Sequence, residues 1–261
     1  MKNTARHYVY TAVFASIAGL MTAESSAGLI VYDAGRVSID AVVGERQESA
    51  PALGYYEGAT DVSSTLVGMT GSNENNTRYG QDLVYRYALP VLSPGETIES
   101  FTLTFQITAL RDHSQNDYEL DVYLLDLADP TTTGSDLFFR GANDSNHAFV
   151  GSHYIDTGND DGSITLDPPV DVTFTVASGA ALTVLQSFYD GNHTPNQTEA
   201  SFRFNLDKAY TGGISSRALN RYYVNDDVDT SGFTITAVPE PSAFVLLAVA
   251  VLGLLGFRRR R

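Results

Sequence analysis

The chain has 261 residues, with 16 basic and 31 acidic side chains, a formal charge of −15, and no cysteine. So acidic a surface repels nucleic acid and anionic lipid. The lack of thiols excludes disulfides, thiolate metal centres and cysteine catalysis, so stability has to come from an apolar core.

Lys2 and Arg6 form a basic start, and residues 8–21 are apolar, carrying Val9, Val13, Phe14, Ile17 and Leu20. Ser25 and Ala27 then place small residues at the −3 and −1 positions of a cleavage site. This is the pattern of a secretory signal peptide over residues 1–27, a short signal helix cut between Ala27 and Gly28. The remaining body, residues 28–237, is long enough for one large β domain. It holds ten basic residues against twenty-nine acidic ones, a formal charge of −19, with Lys208 its only lysine.

Residues 29–43 predict one or two strands, followed by a loose region over 44–61. Residues 71–80 (GSNENNTRYG) are polar enough to read as a mobile loop. From there period-two alternation dominates. Leu83, Tyr85, Tyr87 and Leu89 form one row, and Ile98, Phe101, Leu103, Phe105 and Ile107 form the next, with Thr102, Thr104 and Gln106 opposite. Further rows are Leu120, Val122 and Leu124, then Val170, Val172, Phe174 and Val176, then Phe202, Phe204 and Leu206, and last Phe233 and Ile235. Alternation of this kind predicts half-buried antiparallel strands. Turns are expected at Ser93-Pro94-Gly95, Thr133-Gly134 and Asp161-Gly162. One helix interrupts the pattern, with Ser178 as its cap, Leu182, Leu185, Phe188 and Tyr189 at helical spacing, and Gly191 as its stop.

Three groups of residues suggest chemistry. Asn159, Asp160 and Asp161 crowd carboxylates and an amide around a glycine turn, the oxygen-rich setting that calcium requires. The spacing is not that of an EF-hand, since Thr157 and Pro168 fall where the first and twelfth ligands belong. A solvated acidic turn accounts for the same residues. No other cofactor is expected. The histidines His113, His147, His153 and His193 show no metal-ligand spacing, and nucleophile elbows, phosphate loops and dinucleotide fingerprints are absent. Asp112 and Glu119 could serve as a carboxylate pair, but in so acidic a chain such pairs arise by chance, and the body is expected to be no enzyme. Tyr55 with Tyr56, and Tyr222 with Tyr223, place at least one ring of each pair on a solvent-facing side of a strand. Exposed rings stack on sugars, although tyrosine is also simply a good strand former.

Residues 238–261 read VPEPSAFVLLAVAVLGLLGFRRRR. Pro239, Glu240 and Pro241 precede an apolar run over 242–257, and Arg258, Arg259, Arg260 and Arg261 follow it. As a helix the run spans about 24 Å, short of a bilayer core of about 30 Å. Snorkelling arginines make up part of the deficit, and the positive-inside rule puts them in the cytoplasm and the body outside. The prolines discourage helix and predict an extended, accessible hinge. A plain C-terminal anchor would share most of these features. The tail resembles the PEP-CTERM sorting signal of exported bacterial proteins, a segment also known as the ice-binding-protein C-terminal domain. The resemblance implies an exosortase as partner, recognition at Pro239-Glu240-Pro241, a transient inner-membrane anchor, and delivery to the cell surface or an extracellular matrix. It implies no ice binding, because such tails sit on unrelated bodies.

Over residues 78–127 the phrasing RYGQDLVYRYALPVLSPGETIESFTLTFQI…YELDVYLLDL is similar to jelly-roll domains related to carbohydrate-binding modules. The fold class expected is therefore all-β, an antiparallel β-sandwich of jelly-roll type with one short helix, flanked by the signal helix and the C-terminal transmembrane helix. The function expected is a structural or interaction role outside the cell. The alternative is a carbohydrate-binding module for exopolysaccharide, calcium-dependent if the Asn159–Asp161 turn holds a cation.

Overall fold

The computed structural model describes residues 29–47, 53–55, 65–72, 77–112, 119–126, 147–155, 162–190, 197–206 and 221–239. Alternating apolar and hydroxyl-bearing side chains make most of them strand. In chain order these are β1 (Ile30–Ala34), β2 (Arg36–Gln47), β3 (Leu53–Tyr55), β4 (Leu66–Ser72), β5 (Thr77–Ala88) and β6 (Glu96–Asp112). There follow β7 (Leu120–Leu125), β8 (His147–His153), β9 (Gly162–Val176), β10 (Glu199–Asn205), β11 (Arg221–Val224) and β12 (Gly232–Pro239), with one helix, α1 (Ala180–Ser187), between β9 and β10.

The strands form one hydrogen-bonded network in the order β1-β12-β6-β11-β4-β5-β10-β7-β8, with β9 on β6, β2 on β5, and β3 on β2. Two long strands change partners along their length. One edge of β5 takes β2 from Thr77 to Tyr87, while the other takes β4 near Gly80 and β10 from Leu83 onward. Likewise β6 holds β9 along Phe101 to Asp112, and meets β11 from Ile107 to Arg111 on its other edge. The pairings of known register are antiparallel, and the β11–β4 pair links the array around β6 to the array around β5. The β6–β9 register slips at Leu166-Asp167-Pro168-Pro169, where the prolines have no N–H to donate.

Rings join the faces of these arrays. Phe105 meets Phe204 at 4.9 Å, Phe101 meets Phe202 at 6.0 Å, and Phe233 meets Phe202 at 5.0 Å and Tyr87 at 5.6 Å. These tilted and edge-on contacts suit the ring quadrupoles and add about 0.5–1.5 kcal/mol each beyond area burial. The Phe101, Leu103, Phe105 and Ile107 row is buried, with Thr102, Thr104 and Gln106 half-buried opposite, as the alternation predicts.

Elsewhere the sequence reading needs correction. On β5 every residue from Gln81 to Tyr85 is buried, and on β10 so is every residue from Ala200 to Asn205, so these central strands are covered on both faces. The loose region expected from residue 44 is strand through Gln47, paired with β3 and β5. The polar loop expected over 71–80 is largely the two strands of the β4–β5 hairpin, leaving only residues 73–76 outside the described residues. The first helical turn is capped by Gly179, not Ser178, and without a side-chain bond. Gly179 has φ of 96°, open to glycine and costly for serine. Ala181, Leu182 and Leu185 bury the inner face of α1, which lies against β7 and β8.

Contacts divide the chain into two compact units. The described residues of the first are 29–31, 92–99 and 236–239, and those of the second lie within 32–91 and 100–235. In the first, Pro94 and Gly95 (φ 81°) make a tight turn, closed by Glu96 N donating to Ser93 O at 3.1 Å. Ser93 N in turn donates to the Glu96 carboxylate at 2.9 Å.

Candidate functional site

The body's link to its tail is a strand. Phe233, Ile235 and Ala237 bury one face of β12, and the strand runs on to Pro239. The first proline of Pro239-Glu240-Pro241 is thus the half-buried last residue of a paired strand, not part of a free hinge. A proline there ends the ladder because it offers no donor. Glu240, Pro241, the 242–257 run and Arg258, Arg259, Arg260 and Arg261 lie outside the described residues, as do Ala27 and Gly28. Among the described residues no helix is long and apolar enough to cross a membrane.

The body itself carries a polar face that the alternation hides. Opposite the ring-bearing face, β5 and β10 place Asp82, Arg86, Ser201, Arg203 and Asn205 side by side. Arg203 Nε lies 3.8 Å from Asp82 Oδ2, and Asn205 Nδ2 donates to Asp82 Oδ1 at 2.8 Å. The guanidinium carbon of Arg203 also sits 5.5 Å from the ring centre of Tyr123, its register partner on β7. Cation–π attraction there is strengthened by the exclusion of water. Tyr123 meets His147 edge-on at 4.9 Å and Phe149 at 5.6 Å, both on β8. Phe149 is 52% exposed, so the buried charge pair grades outward into an accessible ring. Farther along, Arg86 Nε reaches Asp40 Oδ2 at 2.8 Å and its Nη1 lies 3.9 Å from Glu199 Oε2. Sequence reasoning missed this cluster because alternation assigns Ser201, Arg203 and Asn205 to solvent. The only local sign was an arginine between two phenylalanines.

A second set of contacts fixes the loop that enters β12. Arg36 donates to Asp227 O at 3.1 Å, to Ser231 Oγ at 2.7 Å and to Asp226 O, and stacks 5.5 Å from the Tyr85 ring centre. Tyr85 donates its hydroxyl to Asn225 O at 3.1 Å. Burial first, then the neighbouring Tyr87, pushes the Tyr85 phenol far above its ordinary value.

The residues singled out from sequence do not converge. Tyr222 is buried, its hydroxyl accepting from Ile155 N at 3.4 Å, so its ring is closed to a ligand, while Tyr223 is half-buried. Tyr55 ends β3 and Tyr56 lies outside the described residues, as do Asn159, Asp160, Asp161, His113 and His193. His147 and His153 stand at opposite ends of β8, and burial lowers the pKa of His153. Among the described residues no group of three or more histidines and acids could hold a metal ion.

A comparison with curated proteins finds no match to the chain. Residues 237–261 match the family model of the PEP-CTERM protein-sorting motif, and the match opens at Ala237, inside β12. In residues 237–261 the chain therefore carries a PEP-CTERM protein-sorting motif, the mark of proteins that are exported, pass through the membrane and are processed by an exosortase.

Proposed function

We propose that this is an exported, non-enzymatic protein whose jelly-roll β-sandwich body serves a structural or interaction role at the cell surface or in an extracellular matrix. Its route is a signal peptide over residues 1–27, a transient inner-membrane anchor over 242–257, and exosortase processing at Pro239, Glu240 and Pro241. The observation that carries the reading is the sorting motif, matched over residues 237–261 and continuous with the last strand of the body. The sandwich is supported by the Phe101–Phe202 and Phe105–Phe204 contacts between strands that are not hydrogen-bonded neighbours. Intact-mass measurement from the native host tests the route. The mature protein is expected to lack Arg258 to Arg261, and a Glu240→Ala variant to retain them. Wild-type protein that keeps the four arginines overturns the processing step.

A second reading, carbohydrate binding, is favoured by one observation. Phe149 is exposed beside Tyr123, whose hydroxyl donates to Asp121 Oδ2 at 3.4 Å. An open ring flanked by hydrogen-bonding groups is what stacking on a sugar requires. A glycan array probed with the body, with and without calcium, tests it. Binding that Phe149→Ala abolishes supports this reading, and a blank array under both conditions rejects it.

A further inference from the structure

We propose that Leu29, just before β1, and Val31, within it, form a membrane-contact surface that seats on a zwitterionic lipid interface while the sorting tail is still attached. The proposal rests on the anchoring reading above. Leu29 is 62% exposed and Val31 61%, with Ile30 between them half-buried. Period two therefore puts both exposed side chains on one face, with the exposed Asp33 next along it. Single exposed aliphatic residues need no explanation, but the place of this pair does.

Strand β1 stands at the end of the sheet order, and its one neighbour there is β12, the strand that leads into the tail. Residues 29–31 fall in the same compact unit as residues 236–239. From Pro239 to the start of the apolar run at Ser242 the chain spans three peptide units, about 10 Å at full extension. The polar layer on each side of a bilayer is about 5–7 Å deep. Once residues 242–257 enter the hydrocarbon, this unit is held within about 3–5 Å of the headgroup layer, close enough for exposed side chains to reach it. Two aliphatic side chains held there gain from leaving water, as the apolar face of an interfacial helix does. The described residues of the unit carry Glu96 and Glu99 and no lysine or arginine, which favours zwitterionic over anionic lipid.

The absence of native cysteine allows single-site labelling. Val31→Cys and Ala248→Cys, each bearing an environment-sensitive dye, are prepared in the full chain with the signal peptide removed by the exporting host. Each is reconstituted into phosphatidylcholine vesicles with brominated acyl chains. The Val31 label is expected to shift to the blue and to lose emission to the brominated lipid, as the Ala248 label does. A quenched Ala248 label beside an aqueous Val31 label overturns the contact surface and leaves the anchor standing. An unquenched Ala248 label removes the anchor, and the proposal with it. A blue-shifted Val31 label that is not quenched, and that grows with protein concentration, assigns the edge to a second copy of the chain and overturns the lipid contact.

Discussion

Arg203 and Asp82 lie diagonally across the β5–β10 ladder, Nε 3.8 Å from Oδ2, with side chains 1% and 0% exposed. Such a pair is weakly stabilising as a whole, because desolvating two charges offsets most of their attraction. Removing one partner strands the other and costs about 3–5 kcal/mol. Arg203→Met is expected to lose that much in chemical denaturation. Asp82→Leu combined with Arg203→Met should lose clearly less than the sum of the single changes. Additive losses would mean that the two side chains are not energetically coupled.

Gly151 on β8 faces Phe174 on β9 at a distance that excludes a methyl group. A Cβ at Gly151 would lie 2.6 Å from Phe174 Cδ1 and 2.7 Å from its Cε1. Gly151→Ala should therefore destabilise by about 1–3 kcal/mol, the range of core overpacking. Phe174 also meets Phe105 at 5.9 Å, so the ring cannot withdraw without disturbing the core. Adding Phe174→Leu should recover part of the melting temperature lost in Gly151→Ala. A Gly151→Ala protein as stable as the wild type would show that the two strands are farther apart.

Two neighbours on β6 should differ sharply. Phe105 is 1% exposed, and Phe105→Ala should cost about 3–5 kcal/mol. Thr104, on the opposite face of the strand, donates its hydroxyl to Gly232 O on β12 at 3.3 Å. Thr104→Ala should then cost about 0.5–1.5 kcal/mol. Equal melting losses for the two variants would contradict the burial pattern of this strand.

Alkali should unfold the body through its tyrosines. Burial raises the phenol pKa of Tyr85, Tyr87 and Tyr189 above the ordinary 10.0. A raised folded value means that the stability contributed is complete below pH 10.0 and is lost as pH climbs above it, because the unfolded chain ionises first. The melting temperature should fall steadily above that pH. Tyr87→Phe should weaken the pH dependence. An alkaline profile unchanged in Tyr87→Phe would show that this phenol ionises as readily in the fold as in the unfolded chain.

Acid should act through His153, whose pKa is lowered by burial. The fold favours the neutral ring, so stability is present above the unfolded value near 6.5 and declines as pH falls below it. His153→Gln should flatten the melting profile in that window, and an identical profile in both proteins would exclude the histidine as its source.

Local chemistry was enough for the sorting motif and for the ring-bearing face. The order of Pro239-Glu240-Pro241, apolar run and arginines is written in consecutive residues. Burial of Phe101, Leu103 and Phe105 follows from a period that each strand carries by itself. The helix was legible from Leu182 and Leu185, but its cap was not, since the φ of Gly179 is set by how the chain leaves β9. Tyr222 and Tyr223 looked equivalent until the β11 pairings turned Tyr222 inward. Nothing local shows that polar residues at Thr77 to Gly80 pair with β2, or that Ser201, Arg203 and Asn205 are buried. Alternation tells the two faces of a strand apart without saying whether the second is covered. That depends on partners far away in the chain, as Arg203 and Asp82 are. Their meeting was decided by the register of β5 against β10, which exists only once the sheet has formed.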